Sequence, residues 1–486
     1  MAHCMTLPQA RYAGMSRASR LLAARRPTCL PAAAAYYVSW SNSAAIAAPA
    51  AAGTDMDMDA STSPTPVRRP IDQRTRLTAG RAQTPLSIEQ CVKLGQSLSH
   101  RSLLKNLIFL NRELPVRFSK RILELDRLPR ELKDTHPFIS LSNNYTTTFD
   151  DLIRFSDNSQ LSVDEPEQLY FETEESTQRA VQQEYMTLLQ DTANRHKQDV
   201  VHMAHGISLF KYYVNQRGGG VVSDEIQEFL NSFNRGRLGI RIMIGHHLAL
   251  QNQLLNPHSS SASSSSPRRG TGLSAAQQRK VGIIDPLCDI EALVQEATQS
   301  AQFVFFQHYN TVFPPQVHIE HAKQPGGRNI RFPVVPALLH HILFELLKNA
   351  MRATAEFHGL EMESYPEIEI KLSASEKDGL IIQIKDQGGG FPTGKVIRPF
   401  DYMFTTASNT VCLDFPSILN AVQTKPQTSA TNENLPLCGF GFGLATSRLY
   451  ARLFGGDLSI SSIPGSGTVA TVNLRPLEEQ IERSAD

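Results

Sequence analysis

The stretch VPALLHHILFELLKNAMRATAEF, residues 335–357, decides the fold of the C-terminal half of this chain. Its apolar residues recur at spacings of three and four, which predicts an amphipathic helix. The predicted buried stripe consists of Leu339, Ile342, Leu343, Leu346, Leu347 and Ala350. The other side of this helix is therefore free to carry polar groups that bind a ligand or perform chemistry.

Four polar residues share one face of this helix. His341, Glu345, Asn349 and Arg352 follow one another at spacings of four, four and three residues. The carboxylate supplies a proton acceptor, the carboxamide one turn later an oxygen ligand for Mg²⁺, and the imidazole one turn earlier an orienting partner. A solvated polar face would give the same pattern, so the neighbouring motifs must decide between the two interpretations.

The first glycine-rich turn follows a predicted strand. LIIQIKDQGGGF, residues 380–391, ends that strand on Asp386 and continues into Gly388 and Gly390. A carboxylate at a strand end can accept a hydrogen bond from the exocyclic amine of adenine, and glycines let the main chain approach the purine closely. This turn is by itself a weak signal for a nucleotide.

Two more glycine runs strengthen the signal for a nucleotide. GFGFGL, residues 439–444, precedes a predicted helix, so its main-chain amides face an anion such as phosphate. No GK[ST] follows, which excludes a Walker loop. GSGT, residues 465–468, opens the last predicted strand and could close over the base. Together with the polar helix face, the three runs predict a nucleotide pocket.

A long segment separates the first two glycine turns. Residues of about 400–438 include DYMFTTA, in which Thr405 and Thr406 carry hydroxyls that would lie near the phosphates. A loop of this length in a compact domain is usually a functional lid or is disordered. Because nucleotide motifs bound it on both sides, the sequence favours a lid.

The chain as a whole predicts two domains of different texture. Residues 84–255 have helical periodicity, which predicts an all-α bundle of three or four long helices. Residues 281–478 alternate strands and helices and predict an α/β sandwich with a mixed sheet. The predicted strands are 367–372, 380–386 and 468–474, and the predicted helices are 336–357 and 443–454.

Segments outside these domains have other compositions. Residues 1–54 contain arginines but no Asp or Glu, which is typical of a mitochondrial presequence, and we interpret residues 1–83 as presequence and disordered linker. The Ser-rich residues 256–280 predict a disordered insertion. Residues 479–486 are left as a C-terminal tail.

Composition limits the classes of function. With 41% apolar and 20% charged residues, the 486-residue chain is typical of a soluble globular protein. The 48 basic and 47 acidic residues balance, which gives no electrostatic case for a nucleic-acid partner. No window holds the roughly 18 apolar residues that a transmembrane segment needs. The six cysteines lack the spacing of a zinc site.

In this order, ELLKNAMRAT, DQGGGF, DYMFTTA, GFGFGLATSRLYARLFGGDL and GSGT resemble the motifs of the ATPase superfamily of gyrase, the ninety-kilodalton heat-shock chaperone, histidine kinases and mismatch-repair proteins. The chain is more closely similar to the mitochondrial 2-oxoacid dehydrogenase kinases, which include the pyruvate and branched-chain types. FLNRELPVRFSKRILELDRLP, RHKQDVVHMAHGI and FNRGRLGIRIMIGHHLAL resemble that family's helical domain. The resemblance covers residues from about 90 to 475, apart from the Ser-rich insertion.

The resemblance implies a protein serine kinase of the mitochondrial matrix that uses ATP and Mg²⁺. Its substrate would be the alpha subunit of a 2-oxoacid dehydrogenase decarboxylase, its dock the lipoyl domain of the acyltransferase core, and its state a homodimer. Glu345 would be the general base, His341 would orient it, and Asn349 would bind Mg²⁺. The residues assigned to the nucleotide pocket are Asn349, Arg352, Asp386, Gly388, Gly390, Thr405, Thr406, Gly439, Phe440, Gly441, Phe442, Gly443, Leu444 and Thr468.

Some residues depart from the family pattern. Ala445 occupies a position at which these kinases usually have proline, and the single tryptophan is Trp40, so the Asp-Trp pair of the pyruvate-type tail is absent. GRLGIRIMIGHHLAL leans toward the branched-chain type and VGIIDPLCDI toward the pyruvate type, so both substrate types remain open. A histidine autokinase that uses His246 or His247, a conformational ATPase and a catalytically weak scaffold are the alternatives. His196 matches a family histidine, although a single helix histidine is more often structural.

Overall fold

The computed structural model describes most of the chain beyond the N-terminal segment. The described residues are 67–159, 174–216, 223–256, 280–309, 313–321, 329–360, 362–375, 377–391, 398–404 and 441–482. The predicted presequence up to residue 66, nearly all of the Ser-rich segment and most of the predicted lid lie outside these ranges.

The first part of the described chain is helical. Its helices are α1 Gln73–Ala79, α2 Ile88–Gln96, α3 His100–Arg127, α4 Arg130–Lys133, α5 His136–Asn158, α6 Glu175–Arg195, α7 Asp199–Gln216 and α8 Asp224–Leu255. The sequence predicted three or four long helices, whereas within the described ranges five of them, α3 and α5 to α8, have at least 18 residues. No helix of the described chain is long and apolar enough to span a bilayer.

The second part alternates strands and helices. Its elements are β1 Asp285–Asp289, α9 Ile290–Tyr309, β2 Val317–His321, β3 Arg331–Val334, α10 Pro336–His358, β4 Ile368–Ser375, β5 Gly379–Lys385, α11 Gly443–Leu453, β6 Asp457–Ile463 and β7 Gly467–Leu474. The predicted strands and helices of this part agree with the observed ones apart from a few terminal residues.

Five of these strands form one sheet in the order β2-β4-β5-β7-β6. Strands β2 and β4 pair in parallel, and the other neighbouring pairs are antiparallel. The predicted mixed sheet and the two-part fold class are therefore confirmed. Ile368, Ile370 and Leu372 of β4 are buried and alternate with more exposed polar residues, because successive side chains of a strand point to opposite faces. Their buried face packs against α9, α10 and α11.

Residues of the α/β part contribute to the hydrophobic core of the helical part. The hydrophobic core of the helical part also includes Tyr402, Phe442, Ala445 and Phe454, which belong to the α/β part in sequence. The start of α11 and the chain segment before the predicted lid are therefore packed into the helical bundle.

Residues 67–83, which the sequence assigned to the linker, contain helix α1. Asp72 caps this helix, because its carboxylate accepts a hydrogen bond of 2.7 Å from the Thr75 amide. Arg69 and Arg74 form ion pairs with Asp150 and Asp157 of α5. The prediction of a linker missed this helix because it used composition alone. The partners of these arginines lie some 80 residues away in the sequence, where local patterns cannot show them.

The C-terminal residues assigned to the tail are also anchored. Gln480 O accepts a hydrogen bond of 3.1 Å from the Ile88 amide, and the Glu482 amide donates one of 2.7 Å to Leu86 O. The carboxylate of Glu482 binds the buried guanidinium of Arg117 at 2.7 and 2.8 Å. This end of the chain thus joins the α/β part to the helical part.

Candidate nucleotide site

Helix α10 positions the predicted catalytic face. It begins at Pro336, whose fixed φ and missing amide suit the first turn of a helix. The predicted buried stripe is confirmed, since each of its six residues is at most 4% exposed. Burial of this stripe against the sheet fixes the rotation of the helix and therefore the direction of the polar face.

Glu345 is the most constrained residue of that face. Its side chain is 11% exposed, and its Oε1 accepts a hydrogen bond of 2.8 Å from Lys348 Nζ, whose side chain is 8% exposed. On the other side Glu345 meets the start of α11, where a Cβ on Gly443 would collide with the carboxylate. The carboxylate therefore lies between an ammonium group and the positive end of a helix.

Burial by itself raises the pKa of Glu345, but the charges of Lys348 and His341 and the hydrogen bond from Lys348 outweigh it. The pKa therefore lies below the usual value for Glu. Burial also lowers the pKa of His341. Of the two charges that oppose burial, that of Lys348 acts more strongly on Glu345. The sequence analysis overlooked Lys348, although the E-x-x-K spacing places it on the same side of the helix as Glu345.

His341 lies one turn before Glu345, as predicted, but the structure does not give it the predicted contact. Its Nε2 is buried and has no hydrogen-bond partner among the residues that the structure describes. Its ring packs against Tyr450 of α11 at 5.0 Å. In this arrangement Lys348, and not His341, holds the carboxylate of Glu345, so the orienting role of His341 stays a prediction.

Asn349 and Arg352 continue the face. Asn349 is half-buried one turn beyond Glu345. Arg352 is 13% exposed, and its Nε lies 4.0 Å from Glu356 Oε1. Within the described ranges, no three His, Cys, Asp or Glu side chains are grouped as metal ligands.

The structure brings the first and third glycine runs together. Asp386 Oδ1 accepts hydrogen bonds from the amides of Gly388, at 2.9 Å, and Thr468, at 3.2 Å. The main chain of Gly389 exchanges hydrogen bonds with the turn of the third run. Asp386 is 8% exposed, and burial raises its pKa against the effect of the two amides. Both bonds use Oδ1, so Oδ2 can accept a hydrogen bond from a base.

Glycine is required in this turn for two reasons. Gly390 has φ +65°, a region that side chains disfavour. A Cβ on Gly388 would lie 2.6 Å from the Cβ of Ala353 in α10. The turn therefore packs directly on the catalytic helix, one turn beyond Asn349.

The second glycine run lies against the same helix. Gly441 has φ +75°, and Gly443 is the first residue of α11. Leu444 is half-buried in the first turn of α11. Phe442 was predicted to line the pocket, but its ring packs at 5.0 Å against Tyr402 in the core of the helical part. Only the main chain of Phe442 can therefore face a nucleotide.

Four predicted pocket residues, Thr405, Thr406, Gly439 and Phe440, lie outside the described residues. The described ones outline a site along α10. The Gly443 turn contacts it at Glu345 and the Gly388 turn at Ala353. Eight residues separate these contacts, which is about 12 Å of helix. Asn349 lies halfway between them.

Three histidines of the helical part that the sequence analysis considered are buried. His246 and His247 of α8 are 4% and 1% exposed, and burial lowers the pKa of each to about 4. His196 is 7% exposed and bonds Thr148 at 2.9 Å and Asp199 at 3.0 Å. These contacts favour the structural interpretation of His196.

Replacing Lys348 with methionine is expected to move the acid limb of the kcat/KM profile to higher pH. Without the ammonium, burial raises the pKa of Glu345, so the carboxylate takes up a proton at higher pH and activity is lost earlier as the pH falls. Lys371→Met, which removes a surface pair with Glu320, is the matched control. An acid limb that coincides with that of the wild type would contradict this assignment.

Comparisons with known proteins place both parts of the chain among known sequences. A sequence model described as mitochondrial branched-chain alpha-ketoacid dehydrogenase kinase matches residues 85–285, and one described as histidine kinase-, DNA gyrase B-, and HSP90-like ATPase matches residues 334–478. The chain is 32% identical to a mitochondrial pyruvate dehydrogenase (acetyl-transferring) kinase of Drosophila melanogaster, over 82% of this chain and 83% of that protein. It is 32% identical to isozyme 3 of Mus musculus, over 86% of each chain. A Schizosaccharomyces pombe kinase of the same name is 28% identical, over 85% of this chain and 98% of that protein.

Proposed function

Because the chain belongs to the family of mitochondrial pyruvate dehydrogenase kinases, we propose that it is an ATP-dependent protein kinase that acts on a 2-oxoacid dehydrogenase in the mitochondrial matrix. The α/β part is the ATP-binding part. Phosphorylation of a serine in the alpha subunit of the decarboxylase would switch the dehydrogenase complex off.

One observation carries the proposal. A turn with a buried carboxylate and a turn with free helix amides contact the same helix about 12 Å apart, with a carboxamide between them. Asp386 at one end suits the adenine amine, and the amides at the start of α11 suit the phosphates at the other end. Glu345, beside the phosphate end, would accept the proton of a serine hydroxyl.

The residues fit a magnesium ion. Asn349 offers a neutral oxygen ligand between the adenine end and the phosphate end, and Mg²⁺ is usually held by one or two protein oxygens together with phosphate oxygens. When bound, the ion neutralises charge on the transferred phosphoryl group. Arg352, one turn further, adds positive charge to the same face.

The hydrogen bond between Lys348 and Glu345 also bears on the proton transfer. In the structure Lys348 is bonded to Glu345, which keeps the carboxylate ionised at neutral pH but occupies one of its oxygens. An incoming phosphate offers Lys348 an alternative anion. Movement of the ammonium to the phosphate would raise the pKa of Glu345 and so favour transfer of the hydroxyl proton to it.

The family also suggests finer assignments. We propose the lipoyl domain of the acyltransferase core as the dock and a homodimer as the oligomeric state. The compared relatives are named for pyruvate dehydrogenase, while the model matching residues 85–285 is named for the branched-chain enzyme. Both decarboxylases therefore belong in a test.

A histidine autokinase is disfavoured by burial. A phosphoacceptor must present its nitrogen to the γ-phosphate of ATP, and both His246 and His247 are nearly inaccessible. Glu345, Asn349 and Asp386 are all present on the candidate site, which argues against a scaffold that has lost its chemistry.

The proposal is tested with protein that starts at residue 67, so that helix α1 is retained. The protein is incubated with Mg²⁺, radiolabelled ATP and each purified decarboxylase, of the pyruvate type and of the branched-chain type. We expect acid-stable label on one alpha subunit and none with Asn349→Ala, since loss of the metal ligand removes positioning and charge neutralisation together.

Label on the protein's own histidine, lost in acid, would replace the serine kinase with an autokinase. Absence of label from both decarboxylases would leave the scaffold interpretation. The identity of the labelled decarboxylase decides the substrate type.

A further inference from the structure

Gln227, on the helical part, holds the main chain of the α/β part with both atoms of its amide. Its Nε2 donates a hydrogen bond of 3.2 Å to Tyr402 O, and its Oε1 accepts one of 2.9 Å from the Tyr402 amide. The residue lies in the first turn of α8 and is half-buried. Both main-chain groups of a single residue are thus fixed by one side chain from the other part.

Tyr402 is itself fixed on its other side. Its ring is 2% exposed and makes a T-shaped contact of 5.0 Å with Phe442. The next residue, Met403, has φ +66°, which is uncommon for a residue other than glycine. Such a conformation persists only where the surroundings hold it. The clamp by Gln227 is one of these restraints.

The same segment holds the second glycine run. The Met403 amide donates a hydrogen bond of 3.1 Å to Gly441 O. A Cβ on Gly441 would lie 2.7 Å from the main chain of Met403, so the main chains of these two residues are in contact. Two residues later Gly443 begins α11 against the carboxylate of Glu345. A continuous series of contacts therefore runs from Gln227 to the proposed phosphate site and base.

We propose that Gln227 is a positioning residue that sets the start of α11, and with it the phosphate-binding amides, from the helical part of the protein. The inference rests on the proposed role of these amides in nucleotide binding. It adds that the nucleotide affinity of the α/β part depends on a side chain outside it. A partner that shifts the first turn of α8 would then change nucleotide affinity.

Other contacts hold the body of α11. Leu449 and Ala451 are buried in the core, and Arg448 bonds Asp457 at 2.9 Å. Loss of Gln227 therefore weakens the support of the first residues of α11 without detaching the helix. This separates a positioning role from a purely structural one.

The chain supplies a matched control on the same helix. Gln253, near the end of α8, also clamps main chain with both amide atoms, donating to Lys280 O at 3.1 Å and accepting from the Gly282 amide at 3.0 Å. Gln227→Met and Gln253→Met each remove one donated and one accepted hydrogen bond, with the same change of side-chain volume. Only Gln227 is linked to the glycine turn, through Tyr402 and Met403.

The experiment measures the Kd for ADP with Mg²⁺ by calorimetry, KM for ATP and kcat, and the thermal midpoint, for the wild type and both variants. We expect Gln227→Met to weaken ADP binding and raise KM about tenfold, the effect of losing one or two net hydrogen bonds. Gln253→Met should leave both constants unchanged while lowering the thermal midpoint at least as much.

Equal ADP affinity in Gln227→Met and the wild type, or equal weakening in Gln253→Met, would overturn the positioning role. Gln227→Glu keeps the acceptor and the volume but faces Tyr402 O with a carboxylate, so it must also weaken ADP binding, and it serves if the methionine variant does not fold. A wild-type protein that binds no nucleotide would overturn the proposed nucleotide site itself, and this inference with it.

Discussion

Replacing Glu345 with glutamine is expected to lower kcat about a thousandfold, within the range of roughly 10² to 10⁴ for loss of a general base. Glutamine has the same shape and still accepts the hydrogen bond from Lys348, so the contact with Gly443 is retained. It cannot take up the serine proton at neutral pH. Single-turnover phosphorylation of the decarboxylase at saturating ATP measures the chemical step directly.

Affinity for ADP should change little in this variant, because Glu345 is assigned to proton transfer and not to the nucleotide. Glu356→Gln, three turns along the same helix, is the matched control and should keep its kcat. A Glu345→Gln protein with nearly normal kcat would remove Glu345 from the mechanism. Positioning and charge neutralisation by Asn349 and the α11 amides would then have to account for the rate.

Replacing Arg117 with methionine is expected to lower the free energy of unfolding by about 3–5 kcal/mol, because it leaves buried carboxylates without their counter-charge. Arg117 is 1% exposed and binds Glu113 at 2.9 Å and Glu482 at 2.7 Å. It also donates a hydrogen bond of 2.6 Å to Thr84 O. Urea unfolding followed by circular dichroism measures the loss.

Arg74→Met is the control for burial. Arg74 and Asp157 form the same two-bond arrangement, at 2.8 and 2.9 Å, but are 53% and 54% exposed. Loss of this pair should cost about 0–1 kcal/mol. Equal losses of unfolding free energy in the two variants would show that the buried Arg117 cluster contributes no more to stability than an exposed ion pair.

The Arg117 cluster also joins the helical part to the C-terminal segment. Glu113 and Arg117 lie on α3, whereas Glu482 follows the last strand of the α/β part. The ion pair with Glu482 therefore holds the helical part and the C-terminal segment together. Deletion of residues 479–486 would remove one acid and leave the other with Arg117.

The sequence predicted five of the ten elements that the structure describes in the α/β part, because the patterns of these five are local. The buried stripe of α10 follows from a period of three to four, and β4 follows from a period of two. The glycine runs were identifiable because conformations such as φ +65° at Gly390 favour glycine. The resemblance of these motifs to known kinases is confirmed by the comparisons.

The site was predicted as a set of residues but not as a set of contacts. The hydrogen bond from Lys348 to Glu345 could have been read from the spacing, yet a lysine three residues from a glutamate is also typical of an exposed helix. The direction of the Phe442 ring could not have been read from its motif, since the core that receives it includes residues of the helical part.

The sequence alone predicted the two-part architecture, the order of the nucleotide motifs, and Glu345, Asn349 and Asp386 as candidate site residues. Tertiary structure alone decided the contacts around the candidate site: Lys348 with Glu345, Thr468 with Asp386, and Gln227 with the segment that contacts the second glycine run. The physical reason is the distance along the sequence over which each kind of interaction acts. Periodicity and glycine conformation act over a few residues, whereas the bond between Gln227 and Tyr402 joins groups 175 residues apart, which only the folded chain brings together.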